Sequence, residues 1–536
     1  MKMKKLLSVS IAAVMTVGML AGCGGDKSST SSENYQDNDE KLTLKWLGYP
    51  RNPGAEEGTI PEKAIEEKFN VEIQPLFYEE NKYQDKKVML MAGGEIPDLI
   101  YELDPLHVFN DVDQDFVVEV PYDTIKQYAP QYFDYITDYA PAAWIYSRYQ
   151  DKNWGVPNVN HSHMLSKTAA YRKDWLDKFN LDVPKTLDDM HTALYQFANG
   201  DPDGNGKKDT YGISVGSTHY QSYFSEIFGA YGCLPFDWQE VDGKIVYGGL
   251  TDECKEALKT LATWYSEGII HPDFVLGQAD ADKWNSGTLG YMTTQYNDPN
   301  DKNAIQNTVK ENNPKAQVAI GFLPTGPDGK SGTRAWGRAC HVVSFGNTEG
   351  HGAKVPRMLK IFEGMFTDFD FYTTLKIGNE GESWEKAPED TTKANNFVML
   401  PGYGAETADE TRIAGLSSDF AGPGMFTPVA TTYENYASTR SDAWNAWAKE
   451  WTDEKYSLTD YFFKVDVVPS SADYIIDLRT KQMSIMSEII QGVKSIDAYS
   501  EFEKIWESGG GQVLTKEANE LKDELHDVYA EIGVKQ

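Results

Sequence analysis

The chain predicts an α/β fold built on a mostly parallel sheet with helices on both faces, and three observations carry that prediction. From Leu42 onward, strand-like and helix-like stretches alternate in β-α-β-α order. Apolar residues make up 40% and aromatic residues 12% of the 536 positions, enough to fill cores of two domains or one large bilobal one. Beyond the first twenty residues, no second run of about 18 apolar residues occurs, so the body carries no span of its own.

Taken in order, the chain opens with Lys2, Lys4 and Lys5, then the apolar run Leu6 to Leu20, and then Leu20-Ala21-Gly22-Cys23. A basic start, a short apolar segment and small residues before a cysteine read as a lipoprotein signal peptide over residues 1–22. The thiol of Cys23 is the expected site of lipidation, a diacylglycerol fixing the mature chain to the outer face of the cell membrane. Residues 23–41 are rich in Ser, Gly and Asp without apolar periodicity and are expected to form a flexible tether.

The first strand is expected at Leu42 to Gly48, followed by a Pro/Gly loop at Tyr49 to Gly54. Ile60 to Phe69 has helical spacing, Val71 to Leu76 alternates as a strand, and Tyr83 to Met91 is helical up to Gly93-Gly94. Gly94 to Tyr101 then reads as a turn feeding a short buried strand. Ligands of parallel sheets bind at the carboxyl ends of strands, which puts the loops near Trp46 and Asp98 at an expected cleft rim.

Gly94-Glu95-Ile96-Pro97-Asp98-Leu99-Ile100, after that opening, resembles the first lobe of extracellular solute-binding proteins of ABC importers. Later stretches resemble the same family: Trp154-Gly155-Val156-Pro157, Arg172-Lys173-Asp174-Trp175-Leu176 and Pro184-Lys185-Thr186-Leu187-Asp188. Ser286 to Met292, Gly321 to Pro324, Gly378 to Trp384 and the Ile489 to Ala530 helix pair also fit, so the likeness covers nearly everything after the tether. It is closest to the large lipoprotein type (family 1) associated with carbohydrate uptake. The resemblance implies a two-lobed, type II periplasmic-binding-protein-like fold with discontinuous lobes and a ligand cleft between them. Lobe 1 is expected at residues 42–155 plus 322–370, lobe 2 at 156–321 plus 371–500, and C-terminal helices at 501–536. Hinges are expected near Trp154 to Asn158 and Gly321 to Pro327. Each piece also has a plain packing reading, such as Trp175 and Leu176 in a core or Thr186 as a helix cap.

The most legible chemical motif is Asp201-Pro202-Asp203-Gly204-Asn205-Gly206-Lys207-Lys208-Asp209. Oxygen-bearing side chains at positions 1, 3, 5 and 9, a glycine at 6 and the Lys207 carbonyl at 7 follow the spacing of an EF-hand-type loop for structural Ca²⁺. Gly212 stands where a full EF-hand has its bidentate Glu, so another group would complete the shell. An Asx/Gly-rich surface turn is the alternative.

Aromatic side chains offer flat faces to sugar rings, and Asp, Glu, Asn and Arg offer bidentate hydrogen bonds to hydroxyls. The expected ligand contacts are Trp46, Asp98, Trp154, Tyr171, Arg172, Tyr296, Trp336, Arg338, Glu380 and Trp384, with core packing as the alternative for each. The formal charge of −32, about −35 once the three leader lysines are gone, argues against nucleic acid as a partner. Cys233, Cys254 and Cys340 are an odd set without Cys-x-x-Cys spacing, so neither a disulfide framework nor a zinc site is indicated, although a Cys233–Cys254 bridge is open. No Gly-x-Ser-x-Gly, His-Glu-x-x-His or P-loop is present, and His161-x-His163 is an isolated pair. The expectation is a monomeric, non-enzymatic receptor that hands a carbohydrate to the transmembrane subunits of an ABC permease. A sugar-sensing surface module and a glycoside hydrolase are the alternatives.

Overall fold

The protein, seen in a computed structural model, is described at residues 34–48, 58–102, 104–159, 167–215, 220–276, 280–294, 304–335, 338–388, 397–403, 416, 446, 449, 456–463 and 467–534. Tyr35–Gln536 form one unit, apart from Met1–Asn34.

Its first sheet grows from the opening repeat. β1 (Leu42–Gly48) leads through α1 (Ile60–Phe69) to β2 (Val71–Phe77), which lies parallel to β1 from Leu42↔Val71 to Gly48↔Phe77. Helix α1 starts where Thr59 and Glu62 form a reciprocal capping box and stops at Asn70, whose left-handed backbone ends the hydrogen-bond ladder. α2 (Glu80–Ala92) then returns the chain to β3 (Leu99–Glu102), parallel to β1. α3 (Pro105–Asp113), α4 (Tyr122–Tyr128) and α5 (Pro130–Tyr139) follow, and β4 (Gly155–Val159) closes this edge.

The second sheet has three antiparallel strands. β5 (Thr168–Arg172) is its centre; α6 (Lys173–Lys178), α7 (Leu187–Asn199), α8 (Ser225–Ala230) and the hairpin of β6 (Trp238–Val241) and β7 (Lys244–Tyr247) follow it in sequence. After α9 (Asp252–Ser266) and α10 (Asp280–Ser286), β8 (Tyr291–Thr294) pairs with one side of β5; after α11 (Ile305–Asn312), β9 (Val318–Gly321) pairs with the other. The strand alternation splits β5 between two cores. Ala170 faces Trp284, Ile305 and Val309, while Ala169 and Tyr171 face the main core.

From β10 (Thr333–Arg334) the chain returns to the first sheet as β11 (Ala339–Phe345), which inserts antiparallel between β3 and β4. The order β2-β1-β3-β11-β4, with one late antiparallel strand, is the two-lobed type II arrangement. The amino end of β11 therefore lies beside the carboxyl ends of β3 and β4, through Val342↔Glu102 and Ala339↔Val159. Gly155 has a physical reason: a Cβ there would stand 2.4 Å from the Val343 carbonyl oxygen across the ladder.

β4 belongs to the first sheet, where Gly155 to Val159 pair with β11. α12 (His351–Thr367) packs on α4 and α5, and α13 (Phe369–Ile377) packs on α1. Within Gly321 to Pro327, the Thr325 amide donates to Lys185 O at 2.9 Å and its carbonyl accepts from the Leu187 amide. The end of the segment expected as a tether is packed on the fold. Tyr35 is buried and donates its hydroxyl to the Glu119 carbonyl, while Asp37 pairs with Arg357 at 2.8 Å and Lys360 at 2.6 Å on α12.

Three helices close the chain: α14 (Ser471–Ile490) packs on α9, and α15 (Tyr499–Ser508) packs on α14 and on α16 (Gly511–Ile532). α16 spans from β7 to the 3-10 turn at Pro141–Ser147, and Arg148 beside that turn reaches Glu531 of α16 at 2.8 Å. The C-terminal helices thus tie the two halves together. No helix among the described residues is long and apolar enough to cross a membrane.

Candidate ligand-binding site

Eight of the ten ligand contacts expected from sequence are among the described residues, and these scatter in the fold. Trp46 sits mid-strand in β1, fully buried and edge-on to Phe362 at 6.2 Å, and so is core. Asp98 precedes β3, at the opposite end of the sheet from the strands' carboxyl ends. It accepts the Lys45 amide at 2.8 Å and pairs with Lys354 at 2.7 Å, a pin between β1, β3 and α12. Arg172 ends β5 in a bidentate pair with Asp174 at 2.9 and 2.7 Å, its guanidinium 4.4 Å from the Trp175 ring centre, which fixes the start of α6. The periodicity that located these residues is equally that of packing, and burial decides between the readings.

Trp154 is half-buried, its indole donating to Tyr149 O at 2.8 Å. Trp384 is half-buried with its indole on Gly378 O at 3.0 Å, next to exposed Glu380. Tyr296, Trp336 and Cys23 lie outside the described residues.

Arg338 stands just before β11, at the edge formed by the carboxyl ends of β3 and β4. Its guanidinium donates to Tyr139 O at 2.8 Å and lies 4.6 Å from that ring's centre; Tyr135 stacks on Tyr139 at 5.4 Å. Both rings are half-buried, and together they make a flat aromatic platform with a fixed cation. At the same edge Lys87 holds Glu102, the last residue of β3, and Asp111 at 2.8 Å, all buried. Burial, with the neighbouring Glu102, pushes the Asp111 carboxyl up to about 7.

Tyr171 leads to a second group that sequence reasoning did not assemble. Its ring tilts against Tyr291 of β8 at 4.9 Å; both side chains are fully buried, and neither hydroxyl has a hydrogen-bond partner among the described residues. Burial raises both phenols and the charge of Glu226, the second residue of α8, adds to that rise; Asp280 and Lys167 act in turn on Glu226. Glu226 is only 5% exposed, and burial raises its carboxyl to about 7 against the pull of Lys167 and with the push of Asp280. Asp280 is also raised, chiefly by burial. Buried hydroxyls left unpaired beside a neutralisable carboxyl are costly to folding, and such clusters mark places where a ligand completes the bonding. The available signal was Glu226 inside the largely apolar run Tyr223 to Ala230, and Tyr291 inside the stretch Ser286 to Met292.

The Asp201 to Asp209 loop turns through left-handed backbone at Asp201, Gly204 and Gly206. Asp201 accepts the amides of Asn205 and Gly206 at 3.0 and 3.1 Å, and the Lys207 amide donates to Asn205 Oδ1 at 2.7 Å. Asp203 and Asp209 meet at the Asn205 Nδ2, at 2.7 and 3.2 Å, so one electropositive group draws the oxygens of positions 3 and 9 together. Among the described residues no three His, Cys, Asp or Glu side chains already form a metal-holding group. The donor set fits a hard cation in kind, all oxygen and mostly carboxylate; holding one requires the Asn205 amide to present its oxygen inward. Cys233 and Cys254 are free, buried thiols.

Two lobes joined by crossing strands, with polar groups gathered on strand edges, are the arrangement of a solute-binding protein. The family model for bacterial extracellular solute-binding proteins matches residues 63–355, and the chain belongs to that family. It is similar to the polygalacturonan/rhamnogalacturonan-binding protein YtcQ of Bacillus subtilis strain 168, 26% identical over 405 residues, covering 73% of this chain and 76% of that protein. It is also similar to the fructooligosaccharide ABC transporter substrate-binding protein FusA of Streptococcus pneumoniae serotype 4 (strain ATCC BAA-334 / TIGR4). That match is 28% identical over 307 residues, 53% of this chain and 55% of FusA. A solved structure of an S. pneumoniae FusA EF-hand mutant with fructo-nystose superposes with a TM-score of 0.61 at 17% identity, over 91% of this chain and 99% of that one, a likeness of fold.

Proposed function

We propose that the chain is a cell-surface receptor that captures an oligosaccharide between its lobes and passes it to the transmembrane subunits of an ABC permease. The observation that carries this reading is the pair of buried, unpartnered hydroxyls on Tyr171 and Tyr291, which can hydrogen-bond sugar hydroxyls in both directions. Arg338 with Tyr139 and Tyr135 supplies a stacking platform at the other sheet's edge, and half-buried Trp154, Trp384 and exposed Glu380 remain candidate contacts. Names of relatives point the same way, to glycan binding and ABC transport.

In this reading Cys23 carries the lipid, holding a monomer on the outer face of the membrane. Asp201, Asp203, Asn205, the Lys207 carbonyl and Asp209 hold a structural Ca²⁺ that neutralises the loop between α7 and the following Tyr211–Val215 segment. A solved relative described as an EF-hand mutant supports that assignment. No chemistry is done on the solute. A glycosidase needs one carboxyl protonated and its partner ionised, whereas burial raises Glu226 and Asp280 together. A glycan array on the purified mature protein, with bound material recovered and weighed by mass spectrometry, tests the proposal. Retention of at least one intact oligosaccharide supports it; retention of none, or recovery of cleaved products, refutes it.

A further inference from the structure

The fold brings Cys233 and Cys254 to one hydroxyl. Thr251 caps α9, its Oγ1 accepting the Cys254 amide at 3.3 Å, and the same oxygen lies 3.6 Å from Cys233 Sγ. Cys233 follows α8, its amide donating to Phe228 O at 3.0 Å and its thiol to Gly248 O at 3.4 Å. Cys254 Sγ lies 3.5 Å from the Tyr499 hydroxyl of α15. Both side chains are fully buried, and α8 packs on α9. Burial pushes the Cys233 thiol up, and the Cys254 thiol beside it adds to the rise.

We propose that Cys233 and Cys254 form a structural disulfide in the exported protein, the two free thiols seen here being its reduced form. The chain belongs to a family of extracellular proteins, and neighbouring thiols outside the cell meet an oxidising environment. The bridge forms by exchange with the disulfide of an exported thiol oxidoreductase. Each cysteine gives up a proton, the two sulfurs bond, and the two electrons and two protons leave on the oxidoreductase, now a dithiol. The exchange belongs to folding, before the core closes over both sulfurs; afterwards the same burial shields the bond from reduction.

The loop so closed carries the β6–β7 hairpin, on which the C-terminal helices sit. Trp238 and Tyr247 pack their rings on Trp506 of α15 at 6.0 and 4.2 Å, and Asn519 of α16 bonds both the amide and the carbonyl of Ile245 at 3.0 and 2.8 Å. A bridge at the base of this hairpin restricts the unfolded chain where the late helices dock. Two cysteines acting only as small apolar side chains would fill the same space and keep their thiols.

Thiol counting separates the two. The full mature protein, isolated from cells without reductant, is unfolded in denaturant and its thiols are alkylated before and after reduction. Reduction should expose two further thiols, and peptide mapping without reductant should find the Cys233 and Cys254 peptides joined, lighter by two hydrogens than their sum. Because the count is a difference, Cys340 and the state of Cys23 do not enter it. The oxidised parent should melt several degrees above both the reduced parent and a Cys233→Ala/Cys254→Ala variant, and reductant should leave that variant's melting unchanged. No new thiols on reduction, or a bridge that runs through Cys340, would overturn the proposal. So would reductant lowering the melting of parent and double variant alike. Neither cysteine is among the candidate ligand contacts, so any of these results leaves the oligosaccharide reading to its own test.

Discussion

Glu226 shows how much one buried carboxyl decides. Its ordinary value of 4.5 rises to about 7 in the fold. A raised acid contributes its full stability only below the unfolded value and loses it as pH climbs through the folded one. The protein should therefore weaken between about pH 4.5 and 7 on account of this group, with Asp280 adding in the same direction. Glu226→Gln escapes that loss, so its melting temperature should exceed the parent's at pH 8, by on the order of 3 kcal/mol in stability, with the gap closing toward pH 5. Melting curves of the two proteins that stay parallel from pH 5 to pH 8 would rule out the burial of this charge. At the same scale, sequence reasoning chose Trp46 and Asp98 as rim residues, and the fold buries both. An aromatic in a strand and an acid in a turn look alike whether they face ligand or core, and only the position along the strand separates them.

Among the elements, the segment before β1 behaves differently from its composition. Ser, Asp and Asn read as tether, yet Tyr35 and Asp37 are seated on lobe 1, and Arg357 holds Asp37 together with the carbonyls of Phe69 and Asn70 at 2.7 and 3.1 Å. Burial would raise the Asp37 carboxyl, but the hydrogen bonds and charges of Arg357 and Lys360 outweigh it and hold it below its usual value. Arg357→Ala leaves a buried carboxylate with one partner fewer and takes a donor from the Phe69 and Asn70 carbonyls, and should cost about 3 kcal/mol, read as a lower denaturant midpoint at unchanged slope. Polar composition concealed this clamp because its partners lie more than 300 residues away in sequence. The Asp201 to Asp209 loop was legible for the opposite reason, since all its partners are local. Calcium at a hundredfold excess over its Kd should stabilise the parent by about 2.7 kcal/mol, and Asp203→Ala should abolish that response. An equal calcium-induced rise in both melting curves would remove the metal from this loop.

For the whole molecule, the alternation of the first hundred residues sufficed for an α/β sheet, because β-α-β order leaves few topologies once crossovers are right-handed. The late return of β11 between β3 and β4 is a pairing of distant segments, which no local pattern announces. That same return threads the chain back from the second sheet into the first, within the one unit Tyr35–Gln536. The central claim is that the two lobes close on an oligosaccharide and release it unchanged. Small-angle X-ray scattering of the mature protein, with and without a saturating glycan chosen from the array, tests it most directly when the glycan is recovered afterward. The account predicts a smaller radius of gyration on binding and an intact glycan; an unchanged radius at saturation, or a shortened glycan, would contradict it.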